Sequence, residues 1–256
     1  MVFAIVNQKG GVGKTTTAVN LGAALAERGM KVLLVDMDAQ GNATTGLGVD
    51  RSRLERCVYS AVTGSCEALE AIVPTAVEGL HLLPARMALA AAEVELAGVM
   101  ARETRLRTAL APLKADYPLV LIDSAPSLGL LTINSLVAGE QVLIPIQCEY
   151  YALEGLSQLL QIVELVRTNL NEGLAVAGVL LTMYDRRLRL TSDVEREVRG
   201  HFGDRAYRTV IPRSVRLSEA PSYGKPITQY APDSKGAEAY RRLAQEVVER
   251  GEPWAR

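Results

Sequence analysis

The sequence has few cysteines, no surplus of charge and no long apolar run, and each absence removes a class of protein. Cys57, Cys66 and Cys148 are odd in number and contain no C-x-x-C pair. That argues against both a disulfide framework and a zinc site, and leaves buried, reduced thiols as the expectation. No 18-residue apolar run is present, and Met1 leads at once into the apolar segment 2–7 instead of a basic leader and signal core. A cytoplasmic protein with no membrane partner is therefore expected. Lys and Arg total 28 against 29 Asp and Glu, a net charge of −1 that by itself gives no reason to expect nucleic acid. Internal repeats, low-complexity tracts and long linkers are missing too. With 256 residues, 48% of them apolar, the chain is read as one domain over 1–256 with a sizeable core.

One further absence is local. A phosphate loop asks for Gly, four residues, then Gly-Lys-Ser/Thr. In QKGGVGKTTT (8–17), Gly13, Lys14 and Thr15 complete that pattern, but Gln8 stands where its first glycine belongs, and a second lysine, Lys9, sits at the entrance. The surroundings support the reading. Segment 2–7 has the length and apolarity of a strand, Ala18, Leu21, Leu25 and Ala26 recur at helical spacing, and 31–36 is a second strand-like run. Strand, glycine turn, helix, strand places the backbone N–H groups of Gly10 to Thr16, with Gly11, Val12 and Gly13 between them, around an anion at a helix N-terminus. Lys14 then lies along the β- and γ-phosphates, and the Thr15 hydroxyl is a ligand for Mg²⁺, which prefers oxygen donors.

Further strand-length apolar runs occupy 80–84, 117–123, 141–147, 176–183 and 207–212, with helical patterns between most of them. Their near-continuous apolarity predicts strands covered on both faces: an α/β fold with a doubly wound, mostly parallel sheet flanked by helices. Ser192 and Glu195 have capping-box spacing for a helix running toward His201, and a last helix is predicted over about 236–250. Segment 40–75, dense in Gly and Thr, is expected to hold loops and short helices near the site.

Two acidic positions end strands beside the phosphate loop. Asp123 closes LVLID, where a carboxylate either holds a metal-bound water near the phosphates or caps the next helix. Asp36 and Asp38 close the second strand; Asp38 is assigned to orienting the attacking water, Asp36 to a structural role.

Together, KGGVGKTTT, VLLVDMDAQGNATTGLG, LVLIDSAPSL, PIQCEYYALEG and IPRSVRLSEAPSYGKPI resemble the ParA/Soj partition ATPases of the deviant Walker A group that also contains MinD. The resemblance runs over nearly the whole chain. It implies an ATP- and Mg²⁺-dependent ATPase that forms an ATP-driven homodimer, binds duplex DNA without sequence preference, associates with the nucleoid, and hydrolyses ATP slowly until a ParB-type partner stimulates it. It also gives Lys9 a role as the signature lysine that reaches the nucleotide of the other subunit, so Lys9, Lys14 and Asp38 form the expected catalytic set. Pro212 and Ser214 fall where the family packs and contacts adenine. This chain departs from the family at Ser214, where Asn is usual, at Ala39, where Pro is common, and at Ser124-Ala125, where Pro-Pro is common.

Between Arg186 and Arg216 nine arginines stand against Asp193, Glu195, Glu197 and Asp204, a balance of +5 that leaves −6 for the remainder. Such a stretch is often a solvated face. The family's basic surface comes from this part of the chain, which makes Arg187, Arg189, Arg196, Arg199, Arg213 and Arg216 the expected DNA contacts, able to fork phosphate oxygens. A MinD-like membrane ATPase is the alternative, and it requires an amphipathic C-terminal helix that ERGEPWAR, with its single Trp, does not resemble. A metabolic ligase or reductase is a more distant one. The short lead before the first strand also implies no N-terminal DNA-reading extension.

Overall fold

A computed structural model describes residues 1–149 and 154–251. Tyr150 to Leu153, inside the PIQCEYYALEG motif, and the tail with Trp254 lie outside the described residues. The strands are β1 (Val2–Ile5), β2 (Val32–Met37), β3 (Val73–Pro74), β4 (Leu80–Leu83), β5 (Leu119–Ser124), β6 (Gln141–Gln147) and β7 (Ala175–Thr182). The helices are α1 (Lys14–Ala26), α2 (Asn42–Gly46), α3 (Val58–Thr63), α4 (Ala68–Ala71), α5 (Leu89–Glu95), α6 (Arg105–Leu110), α7 (Leu130–Ala138), α8 (Glu154–Asn169), α9 (Arg189–Phe202), α10 (Val215–Glu219), α11 (Ile227–Tyr230) and α12 (Lys235–Arg250).

The sheet order is β3-β4-β2-β5-β1-β6-β7, parallel throughout except for the edge pair β3–β4. Alternate residues of the central strands enter opposite cores, as the apolar runs require. Phe3, Ile5, Leu34 and Leu121 pack with α1 and α12, while Leu33, Val35, Val120 and Ile122 pack on the other face with residues of α3, α5 and α6. Parallel pairing sends the C-terminal ends of β1, β2, β4 and β5 to one edge, which therefore carries the phosphate loop, Asp38, the start of the α5 segment and Asp123.

Two expectations need correction. The run 207–212 is not a strand; it touches the sheet only through isolated bridges, Val179 with Ala206 and Tyr184 with Pro212. The N–H groups of Arg208 and Thr209 are taken instead by the Glu246 carboxylate at 2.7 and 2.9 Å, so the ladder cannot continue there. The Ser192–Glu195 capping box does not form. The helix begins three residues earlier, at Arg189, and Glu195 binds the Tyr184 hydroxyl and Arg199. Antiparallel β3 was concealed by its two-residue length. Of the thiols, Cys57 and Cys148 are buried and Cys66 is partly exposed; all three are free, and burial pushes the Cys148 thiol up to about 12.

Candidate nucleotide site

The turn after β1 meets α1 through two glycines in the left-handed region, Gly11 (φ 76°) and Gly13 (φ 88°), the latter being the helix N-cap. A side chain at either position would be strained in this backbone, and α1 has no side-chain cap, so its first N–H groups remain available to an anion. Gln8 at the missing glycine donates instead to the Gly155 carbonyl, 2.9 Å, tying the loop entrance to the start of α8.

Two adjoining cavities of roughly 390 and 380 Å³ share Gly13, Thr16, Met183 and Pro221. The first is lined by Lys14, Thr15 and Asp38, the second by Pro212 and Ser214. Of the expected nucleotide residues, Gly11, Gly13, Lys14, Thr15, Thr16, Pro212 and Ser214 thus lie along one continuous cleft, and Lys9, Gly10 and Val12 do not line it. Lys14 is buried, and its ammonium donates to the Lys9 carbonyl at 3.1 Å. Burial lowers its pKa, with Asp123 and Asp38 opposing that shift. Lys9 turns the other way: its exposed ammonium pairs with Glu149 at 3.1 Å instead of entering its own phosphate cavity.

The three carboxylates differ in their surroundings. Asp36 is wholly buried and accepts from the Thr44 hydroxyl (2.7 Å), the Thr44 N–H (2.8 Å) and the Asp38 N–H (3.2 Å), which fixes the chain after β2. Asp38 accepts from the Gln40 N–H at 2.9 Å and lines the cleft. Asp123 is fully buried and neither of its oxygens has a hydrogen-bond partner. Burial and then the nearby Asp36 raise its pKa well above the ordinary range, with Thr15 and Lys14 opposing. It does not cap α7, whose N-cap is Gly129. A buried, unpaired carboxylate beside Thr15 and Lys14 is a donor set that fits a hydrated divalent cation, so the residues present suit Mg²⁺.

Several contributors were not legible in the sequence. The Thr182 hydroxyl, at the end of β7, reaches the carbonyls of Val12 (2.8 Å) and Ile146 (3.1 Å) and so braces the phosphate loop against the sheet. Met183 has φ 52°, a strained value for a side-chain-bearing residue, and lines both cavities. Asn20 joins α1 to α11 by donating to the Thr16 carbonyl and accepting from the Ile227 N–H at 2.6 Å. Only the apolar run 176–183, which contains Thr182 and Met183, offered a signal. Of the departures, Ala39 packs against the core and Ser124 is buried with an unpaired hydroxyl.

The arginines do not form a uniform set. Arg189 is 95% exposed and shares a helix face with Asp193 and Arg196 at i, i+4 and i+7. Arg187 pairs with Asp185 and Arg216 with Glu219, both at the surface. Arg213 is exposed, and its N–H bonds the Tyr184 carbonyl, which places it beside the loop holding Arg187. Arg199 is only 34% exposed and is committed to Glu195 and to the carbonyls of Tyr207 and Arg208.

Comparison with known proteins bears on this cleft. The profile of a family described as an AAA domain matches residues 1–176. The chain is 56% identical over 250 residues to the sporulation initiation inhibitor protein Soj of Bacillus subtilis, covering 98% of this chain and 99% of that one. It is also 56% identical over 248 residues to the chromosome-partitioning ATPase Soj of Thermus thermophilus, covering 97% of this chain and 95% of that one. A Mycobacterium smegmatis structure described as cobyrinic acid a,c-diamide synthase with bound ATP analog and magnesium superimposes with a TM-score of 0.84 at 40% identity, covering 98% of this chain and 95% of that one.

Proposed function

The chain belongs to the ParA/Soj family of chromosome-partitioning ATPases, and from that premise we propose that it is an ATP-driven clamp on DNA. Two monomers carrying Mg-ATP close face to face, the dimer holds duplex DNA without sequence preference, and slow hydrolysis, accelerated by a ParB-type partner, releases it. The observation that carries this reading is the division of labour between two lysines. Lys14 is buried along its own phosphate cavity, while Lys9 stands exposed at the mouth and reaches out of it. A cation so placed suits the phosphates of a second subunit, which couples phosphate number to association.

Within one subunit the phosphate loop from Gly10 to Thr16 binds and orients the triphosphate, and Lys14 neutralises its developing charge. Asp38 orients the attacking water. Pro212 and Ser214 border the base, and the shorter Ser214 side chain is consistent with a weaker base contact than Asn gives. Thr15 directly, and Asp123 through water, would hold Mg²⁺, which when bound supplies charge neutralisation at the phosphate oxygens. The DNA surface rests on Arg187, Arg189, Arg196, Arg213 and Arg216, since Arg199 is engaged internally. No membrane contact is proposed: the apolar face of α12 (Ala237, Tyr240, Leu243, Ala244, Val247) is used in the core, and among the described residues no helix is long and apolar enough to cross a membrane.

Size-exclusion chromatography with ATP or ADP, with and without duplex DNA of arbitrary sequence, tests the proposal. ATP alone should give a dimer, and only the ATP form should shift further with DNA. Equal dimerisation in ADP, or nucleotide-independent DNA binding, would overturn it.

A further inference from the structure

The segment that follows β4 leaves an apolar surface uncovered. Leu89, Ala92 and Leu96 anchor α5 in the core, while Met87, Val94 and Met100 point outward, at 58%, 78% and 90% exposure. Ala90, Ala91 and Ala97 are exposed between them. Met87, Ala90, Ala91, Val94 and Ala97 follow a spacing of three to four residues along α5 and the turns at its two ends, so they form one stripe, and Met100 lies three residues beyond it. Long flexible methionines beside alanines make a surface that another backbone can approach closely and that can repack on contact. Three bulky apolar side chains at this exposure within one fourteen-residue segment are unusual for a surface that meets only water.

The position of the stripe indicates what covers it. β4 is parallel to β2, with Leu83 in register with Val35, and so the chain leaves β4 at the same sheet edge as Asp38 and Asp123. From there α5 runs beside the loop after β5: Glu93 lies so close to Gly129 that a β-carbon at 129 would collide with its carboxylate. That loop contains Pro126, which lines the phosphate cavity and approaches Gly10 of the phosphate loop. Lys9, Pro126, Glu93 and the stripe are thus successive parts of one face, the face that a second subunit must meet for Lys9 to reach its nucleotide.

We propose that the Met87–Val94–Met100 stripe is the apolar seam of the ATP-dependent dimer, covered by a second copy of this chain. The inference rests on the dimer reading above. Charges at the mouth set which nucleotide permits closure, and the stripe supplies the area removed from water once closure occurs. It also flanks the cleft, so that closing it shields the phosphates from solvent.

Val94→Glu and Met100→Glu, made separately in the full chain, test the seam by sedimentation velocity with Mg-ATP, alongside wild type and Leu165→Glu. Leu165 is an exposed apolar residue (59%) near the C-terminal end of α8 and outside the stripe. Each stripe variant should raise the dimer dissociation constant by at least about tenfold, because a carboxylate would be buried unpaired, while monomer affinity for ATP and the control variant's dimer stay as in wild type. Stripe variants that dimerise like wild type overturn the seam, and if those same variants lose only stimulation by a ParB-type protein, the stripe is that partner's surface instead. Equal weakening by Leu165→Glu also overturns it. A wild type that remains monomeric in ATP removes the dimer reading itself, which separates that failure from failure of the seam alone.

Discussion

Two residues at the phosphate loop show how little distance separates a structural charge from a functional one. Lys9 and Glu149 form a surface pair, each nearly half exposed, and such pairs contribute at most about 1 kcal/mol. The pair therefore does not hold Lys9 against stronger attraction by a triphosphate. Lys9→Ala should bind ATP with nearly wild-type affinity in titration calorimetry yet stay monomeric with ATP in sedimentation; a normal ATP dimer would exclude the role in trans. Asp123 illustrates the opposite case, a charge that the ligand-free fold accommodates poorly. Its folded pKa is raised by burial, so the unfolded chain ionises it first, and stability falls as pH rises from its ordinary value toward the folded one. Asp123→Asn removes that penalty. The variant should melt higher than wild type without ligand at pH 7, by about 2–4 °C for each kcal/mol regained, and should lose most of the further stabilisation given by Mg-ATP. A lower melting temperature without ligand would show that the carboxylate is paired after all.

At the scale of elements, the base side of the cleft depends on contacts between segments far apart in sequence. The chain from Ala206 to Pro212 is held to the end of β7 by only a few backbone bonds, among them Tyr207 N–H to Val179 and Ile211 N–H to Leu181. Its other anchor is Glu246 of α12, which is buried, accepts from Arg208 and Thr209, and pairs with Arg250 at 2.7 Å. Burial alone would raise this carboxyl, but the N–H donors and Arg250 outweigh it and keep its pKa below the ordinary range. Glu246→Ala should cost about 3 kcal/mol, lowering Tm by roughly 6–12 °C, since it leaves two N–H groups unpaired and takes the carboxylate partner from the Arg250 guanidinium. Nucleotide affinity should also fall, because Pro212 and Ser214 lie directly after the released segment. Calorimetric melting and ATP titration of one preparation check both effects, and an unchanged affinity would detach the base cavity from α12.

At the scale of the whole molecule, charge is distributed unevenly while the total stays near zero. The +5 of the 186–216 stretch lies on α9, on α10 and on the loops joining them to β7, and part of it is compensated by carboxylates just outside the stretch, Asp185 and Glu219, which pair with Arg187 and Arg216. Exposed pairs of this kind exchange readily for phosphate oxygens. Dimerisation doubles the surface, so DNA binding should follow ATP, with log affinity falling against log salt at a slope of about −0.9 for each phosphate contacted. Arg189→Glu with Arg216→Glu should weaken DNA binding and flatten that slope while the ATP dimer survives. Retained affinity at low salt in the double variant, or strong sequence preference in the wild type, would contradict a nonspecific arginine surface.

By itself the sequence determined whatever depends on neighbours in the chain. Apolar runs marked β1, β2 and β4 to β7, helical spacing marked α1 and α12, and the phosphate loop needed only contiguous glycines with Lys14 and Thr15, because strand periodicity and backbone conformation are local properties. Acidic residues at strand ends were legible for the same reason. Tertiary structure decided whatever depends on distant partners. The run 207–212 has strand composition, but Glu246, more than thirty residues later, takes its N–H groups. Arg199 has the composition of a DNA contact, but Glu195 and two carbonyls hold it. Lys9 and Glu149 meet across 140 positions, Thr182 braces Val12 across 170, and the stripe on α5 faces outward only because Leu89, Ala92 and Leu96 fill the core behind it. In each case the free energy that selects the arrangement comes from burial and from completing hydrogen bonds, and both are settled by which surfaces meet once the sheet has closed its two cores.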